Sequence, residues 1–209
     1  MSTVHTASGR RRGAPPAGER LDQAAVVTRA AALIEERGRA DFSLRALAAD
    51  LDVRPSALYN HIGNVDELLT AVVTAAVAEF ELSDAPGTWD EWLLTIGIEM
   101  RTWLLERPQL ASLILERAGS TTAGPDLLRR VTERLSASGV DRTVAHMAWH
   151  VVYTVVVGAV QQDLARRVST DGTFEAVLAI AIEGLAATTA ASPPPAMRKL
   201  VRSHGFSDR

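Results

Sequence analysis

"VRPSALYNHIGN", residues 53–64, decides how the rest of the chain is read. Proline at position 55 suits the first turn of a helix, where its missing N–H has no intrahelical partner to lose. Leu58 and Ile62 follow at a spacing that puts both on one helical face. Arg54, Ser56, Tyr59, Asn60 and His61 crowd around those two apolar positions. The segment therefore predicts a short helix with a narrow apolar footing and a broad polar flank.

The residues just before it supply a partner. Ser43 can cap a helix in which Leu44, Leu47, Ala48 and Leu51 recur at the i, i+3, i+4, i+7 spacing of a buried stripe. Two helices joined across "DLDVR", 50–54, make a helix-turn-helix candidate. The first buries Leu44, Leu47 and Leu51. The second buries Ala57, Leu58 and Ile62 against them, and against a preceding helix whose Val26, Val27, Ala30, Leu33 and Ile34 face inward and which Gly38 ends. Arg54, Pro55, Ser56, Tyr59, Asn60 and His61 are then left on the outer side. A DNA major groove about 12 Å wide admits one such helix. Its leading residues reach base edges while flanking groups hold phosphates, and Arg45 and Arg54 supply charge. Double-stranded DNA is the expected partner. On spacing alone, 43–62 also fits a plain helical hairpin inside a bundle, with Tyr59 at the boundary and His61 on the surface.

Composition reads as that of a soluble globular chain, and its net charge by itself argues against wholesale coating of nucleic acid. The chain has 209 residues, 47% hydrophobic and 22% charged, which is ordinary globular composition. It contains no cysteine, so thiolate metal sites, cysteine nucleophiles and disulfide scaffolds are excluded. Net charge is −3, and its distribution is uneven. Residues 1–63 hold nine Lys/Arg against seven Asp/Glu, the remainder thirteen against eighteen, which places the basic end in the N-terminal third. No apolar run follows Arg10, Arg11 and Arg12, so export is not expected and the location expected is cytoplasmic. The longest apolar stretch, near 144–160, is interrupted by His146, His150 and Thr154, and is expected to fall short of the roughly 18–20 residues that span a bilayer.

Residues 1–20 and 192–209 are expected to be disordered tails. The first is Gly-, Pro-, Ser- and Arg-rich and could serve as a basic arm on DNA. The second opens on Ser192 and three prolines, which stop a helix. Between the tails the pattern is helical. Asn64 can cap a fourth helix, with Asp66 and Glu67 in its first turn. Trp89–Glu106 is amphipathic, Pro108 starts a short helix, "STTAGP" at 120–125 reads as a loop, 126–138 is helical, and Asp141 can cap a long helix to about Arg167. A last helix covers 173–190. "VVYTVVVGAV", 151–160, is β-branched enough for a strand, yet no second strand candidate exists to satisfy its backbone groups, so helix is expected. The fold class expected is all-α, with a reading domain over 21–69 and a larger domain over 70–191.

Residues 22–69 resemble the DNA-binding domain of TetR-family transcriptional regulators. The likeness is carried by "AAALIEERG" at 30–38, "SLRALAADLDV" at 43–53, and "LYNHIGN" at 58–64 with "ELL" at 67–69, and "LYNHI" is similar to the branch containing the tetracycline repressors. The resemblance implies that Arg45 touches DNA from the first helix of the motif. It places Arg54, Pro55, Ser56 and Asn60 over the groove, with Tyr59 and His61 gripping phosphates. Asp52 stands where the family usually has a turn glycine, Arg54 where a Ser or Thr cap is usual, Ala57 where a hydroxyl is common, and Val65 where a lysine is frequent.

A ligand-releasable repressor, acting as a homodimer on a palindromic operator, is the function this implies. The long helix 141–167 is apolar on nearly every face and, with Phe174, Val177, Ala181, Ile182 and Leu185, is expected to pair with a second subunit. Gly158 and Gly184 would allow close approach there, or are merely local breaks. His146, Trp149, His150 and Tyr153 recur at helical spacing inside it. Trp92, Ile96, Met100 and Trp103 can face them, with Leu127 and Val131 nearby, as an apolar small-molecule pocket; a packed core with satisfied histidines is the plainer alternative. His146 and His150 alone are too few ligands for zinc, and no metal or cofactor is expected. Tetracycline repressors hold a magnesium chelate through a histidine of the fourth helix, among others. "LLTAVVTAAVAEFEL", 68–82, has none, so tetracycline is not the ligand expected. The chain has no G-x-S-x-G elbow, phosphate-binding glycine loop or paired-carboxylate signature, so catalysis is not expected. A helical interaction module without DNA binding is the other alternative.

Overall fold

The computed structural model describes residues 22–117, 121–166 and 171–190. The expected tails, Arg10–Arg12 among them, lie outside the described residues. Within them the chain is helical and holds no strand, as the all-α reading requires. The helices are α1 (Gln23–Arg37), α2 (Leu44–Asp50), α3 (Pro55–Leu58), α4 (Val65–Ala78), α5 (Trp89–Leu105), α6 (Pro108–Arg117), α7 (Ala123–Ala137), α8 (Arg142–Arg166) and α9 (Asp171–Ala190).

Most boundaries follow from side chains that satisfy the orphan amides of a first turn. Asp22 accepts from the Ala25 amide at 2.7 Å, Ser43 from Ala46 at 3.1 Å, Asn64 from Glu67 at 2.9 Å, and Asp141 from Thr143 at 2.9 Å. Gly38 ends α1 at φ 80°, its N–H donating to the Ile34 carbonyl at 2.8 Å. Some boundaries correct the sequence reading, and the last helix, expected from 173, begins at Asp171. The helix expected from residue 126 begins at Ala123, taking Gly124 and Pro125 into its first turn. Proline is tolerated there because the amide it lacks is one that a first turn leaves unbonded.

α1, α2 and α3 meet through Val26, Ala30, Leu33, Ile34, Leu47 and Leu58, each fully buried or nearly so. Leu51 and Ala57, expected in that core, are only half-buried. The buried side chains run on without a break through α4 into α5–α9. Two polar contacts fasten α6 to the N-terminal helices. The Leu110 amide, in the first turn of α6, donates to Glu35 of α1 at 2.9 Å, and Arg117 at the other end pairs with Asp66 of α4 at 2.7 Å. Arg29 of α1 joins Asp50 of α2 and Glu36 of its own helix.

α8 runs unbroken from Arg142 to Arg166, so "VVYTVVVGAV" is helix. Its length also corrects an expectation: Arg142–Ala165, with a mean hydropathy of 1.5, is long and apolar enough to cross a membrane by composition alone. His146, His150 and Thr154 do not dilute it sufficiently, because the helix extends past the 144–160 run at both ends. Its Val144, Ala148, Val152, Val156 and Val160 instead pack inside the bundle at helical spacing. α5 crosses close by: a Cβ on Gly97 would lie 2.6 Å from Leu178 of α9 and 3.2 Å from Val152 of α8. Near the far end of this contact Arg101 pairs with Asp163 at 2.6 Å, both nearly excluded from solvent, and its guanidinium carbon lies 4.9 Å from the Phe174 ring centroid.

Removing one member of a buried pair takes a countercharge from the other. Asp163→Ala is expected to cost about 3–5 kcal/mol of unfolding free energy, measured by denaturant titration; a loss under about 1 kcal/mol would mean that Asp163 is not what compensates the Arg101 charge. A second expectation concerns acid. Hydrogen bonds from Arg29 hold Asp50 and Glu36 below the ordinary carboxylate range. Their folded pKa values are depressed, so their contribution is present above the unfolded carboxylate pKa and lost as pH falls through the folded one. Arg29→Met should flatten the fall of melting temperature below about pH 4, with an unchanged acid limb as the contrary result.

Candidate functional site

α3 is one helical turn, and its shape is set from both ends. Before it, α2 closes with two backbone bonds: the Val53 amide donates to the Ala48 carbonyl at 2.9 Å and the Asp52 amide to Ala49 at 3.3 Å. That pairing is a Schellman closure, whose C′ residue must be left-handed. Asp52 fills the position at φ 53°, the one positive-φ residue other than glycine among those described. The turn glycine that the resemblance led one to expect is thus replaced by a residue whose short polar side chain tolerates that region. After α3, the Ile62 amide still donates to the Leu58 carbonyl at 3.0 Å, while His61 bonds Leu58 in the tighter i→i+3 manner at 2.8 Å. The expected helix over 55–62 is therefore α-helical only to Leu58, then a turn.

Leu58 is fully buried and Ile62 nearly so, whereas Tyr59 is 56% exposed. Arg45, Arg54, Pro55, Ser56 and Asn60 are exposed as well, and His61 is half-buried. All seven residues singled out for DNA contact thus lie on or at the edge of the surface carried by α2 and α3. An open groove elsewhere, between α1 and α4, is edged by Asp22, Asp66 and Glu67, a poor lining for phosphates.

A second site lies among α5, α6, α7 and α8, a cavity of about 330 Å³. Met100, Trp103, Leu127, Trp149, His150 and Tyr153 line it, as the spacing had grouped them. Trp92, Ile96, Val131 and His146 do not. Trp92 and Ile96 sit one to two turns earlier on α5, and each turn moves a side chain about 5.4 Å along the axis. Trp92 is buried with its indole N–H donating to the Ser83 carbonyl at 2.8 Å. Ile96 and Val131 are fully buried core. The His146 Nδ1 lies 2.8 Å from the Arg142 carbonyl of its own helix. Partial desolvation, with His146 nearby, lowers the His150 pKa, although the residue as a whole is exposed in the protomer.

Phe80, Ile114, Leu115 and Leu128 also line the cavity and were not singled out beforehand. Phe80 had a readable signal, since it continues the Val73–Val77 stripe past the end of α4. Its ring meets Trp103 edge-on, centroids 5.6 Å apart, and its carbonyl accepts from Arg130 of α7 at 2.8 Å. The cavity wall thus reaches α4 directly through Val77 and, through α6, the contacts at Glu35 and Asp66.

No family model matches the chain. Over 147 residues, 68% of its length, it is 30% identical to an HTH-type transcriptional regulator from Saccharopolyspora erythraea; the match spans 61% of that relative. Among solved structures, it resembles a TetR-family transcriptional regulator from Streptomyces coelicolor, with 34% identity and a TM-score of 0.60 over 80% of this chain and 96% of the other. BioQ, solved with its natural double-stranded DNA operator, is similar at 29% identity and a TM-score of 0.66, covering 80% of this chain and 99% of BioQ. A TetR variant from Acinetobacter baumannii, solved with minocycline, is similar at 27% identity and a TM-score of 0.68, over 80% of this chain and 94% of that one.

The left-handed turn offers a direct check. Asp52→Gly should raise unfolding free energy by up to about 1 kcal/mol, and Asp52→Val should lower it by about 1–2 kcal/mol. Equal stability of the three in chemical denaturation would mean that position 52 relaxes out of the left-handed region.

Proposed function

The chain belongs to the TetR family of transcriptional regulators, and from that premise we propose that it represses transcription as a homodimer on a palindromic operator and releases it when a small molecule fills the α5–α8 cavity. In this reading 21–69 is the DNA-reading domain, 70–191 binds effector and partner subunit, and the protein works in the cytoplasm without catalysis. The observation that carries it is the division of α3: Leu58 buried, Tyr59 and Asn60 turned outward. A polar flank so exposed on so short a helix has no packing role to explain it.

Two-fold readers of this kind present their helices about 34–36 Å apart, one groove turn. α8 and α9 are the elements to fix that distance. Val177 and Ile180 of α9 are large apolar side chains left open to solvent, and a Cβ on Gly158 or Gly184 would meet nothing within 4 Å in the single protomer. A second copy packing α8 and α9 against the same pair buries this face as a four-helix interface.

Release requires that the ligand favour one head spacing over the other. α4 carries Val77 at the cavity and Asp66 near the reading helices; swinging it like a pendulum changes the separation. Tyr59→Phe and Asn60→Ala should each weaken binding to a palindrome from the gene's own upstream region by about tenfold or more, leaving the melting temperature unchanged. The wild-type complex should weaken steeply with salt. A melting transition lowered by several degrees would make those side chains structural, and absence of any shifted band would remove the operator.

A further inference from the structure

Resting on the reading of the α5–α8 cavity as the effector site, we propose that its ligand is an uncharged, planar aromatic molecule of two or three rings carrying a carbonyl or hydroxyl group. Among the described residues, no Asp, Glu, Lys or Arg belongs to the wall. A carboxylate or ammonium entering there would give up its hydration without gaining a partner. Two guanidinium groups bond backbone carbonyls of wall residues: Arg107 donates to the Trp103 carbonyl at 3.1 Å and Arg130 to the Phe80 carbonyl at 2.8 Å, while the buried Arg130 Nε has no hydrogen-bond partner among the described residues. Arg129 and Arg130 do line an adjoining cleft that shares Val77, Pro125 and Leu127 with the cavity. Arg129, however, is already engaged by Asp126 and Glu133.

The wall supplies rings instead. Phe80 and Trp103 form one pair, centroids 5.6 Å apart at 60°; Trp149 and Tyr153 form another at 6.2 Å. Edges and faces of these rings have directional preferences for a further ring that they lack for an aliphatic chain. A volume of about 330 Å³ sits at the small end of ligand sites. Among the described wall residues, Tyr153 carries a hydroxyl and His150 an imidazole, polar groups that can orient one oxygen of the guest.

Trp103 and Trp149, two of the chain's four tryptophans, report binding by their own fluorescence. The full chain is titrated with flavone, with a flavone carboxylate of the same ring system, and with dodecanol. Flavone should quench saturably and bind at least about tenfold tighter than either of the others, a gap of about 1.4 kcal/mol. Tyr153→Phe, which keeps ring and volume, should weaken flavone several-fold and leave dodecanol unchanged. Carboxylate binding as tight as flavone overturns the uncharged class, and dodecanol binding as tight overturns the aromatic one. Full flavone affinity in Tyr153→Phe places the molecule elsewhere and overturns the assignment. No binding of flavone by a preparation that still shifts its operator also overturns the ligand class but spares the regulator; a preparation that shifts no operator overturns the regulator itself.

Discussion

The burial of Leu58, with Ile62 just behind it, is what the rest of the reading surface depends on. A helix of four residues, Pro55–Leu58, has no stability of its own, since nucleating a turn costs more than its few hydrogen bonds return. Its existence is borrowed from α1 and α2, whose buried Val26, Leu33, Ile34 and Leu47 belong to the same core as the anchor. The borrowing explains the composition of "SALYNH". With the apolar requirement met by so few positions, the remaining ones are free to carry serine, tyrosine, asparagine and histidine. The closure at Asp52 belongs to the same arrangement, because it fixes the angle at which α3 leaves α2.

Between that surface and the cavity stands α6. Its first turn holds the carboxylate of Glu35, a favourable place for negative charge at a helix N-terminus. Its last residue, Arg117, reaches Asp66, while Ile114 and Leu115 look into the cavity. One ten-residue helix therefore touches both reading-head helices α1 and α4 and the wall of the pocket. A guest that displaces Leu115 acts on two attachments at once, which ties α1 and α4 to a common movement.

The helices were legible because their signals are local. Ser43, Asn64 and Asp141 announce first turns, Gly38 an end, and Pro55 a beginning, each within a few residues of its effect. The early start of α7 escaped because "STTAGP" reads as a loop unless one knows that Pro125 falls in a first turn. Part of the cavity was legible for a different reason. Periodicity tells which side of α5 is apolar but not which stretch of that side faces a void, so Trp92 and Ile96 could not be separated from Met100 and Trp103. Phe80, Ile114 and Leu128 come from three other elements, and only their meeting in space makes them one wall. The pair Arg101–Asp163, 62 residues apart, left no trace in a one-dimensional reading, since neither residue breaks its helical pattern.

That pair restricts the kinds of deformation open to the bundle. Sliding α8 along α5 by one turn would carry Asp163 about 5.4 Å from its guanidinium, inside a medium where separated charges are costly. Shear between these two helices is thereby opposed. Arg101 and Asp163 thus act as a stop on sliding, set beside Met100 and Trp103 of the aromatic wall.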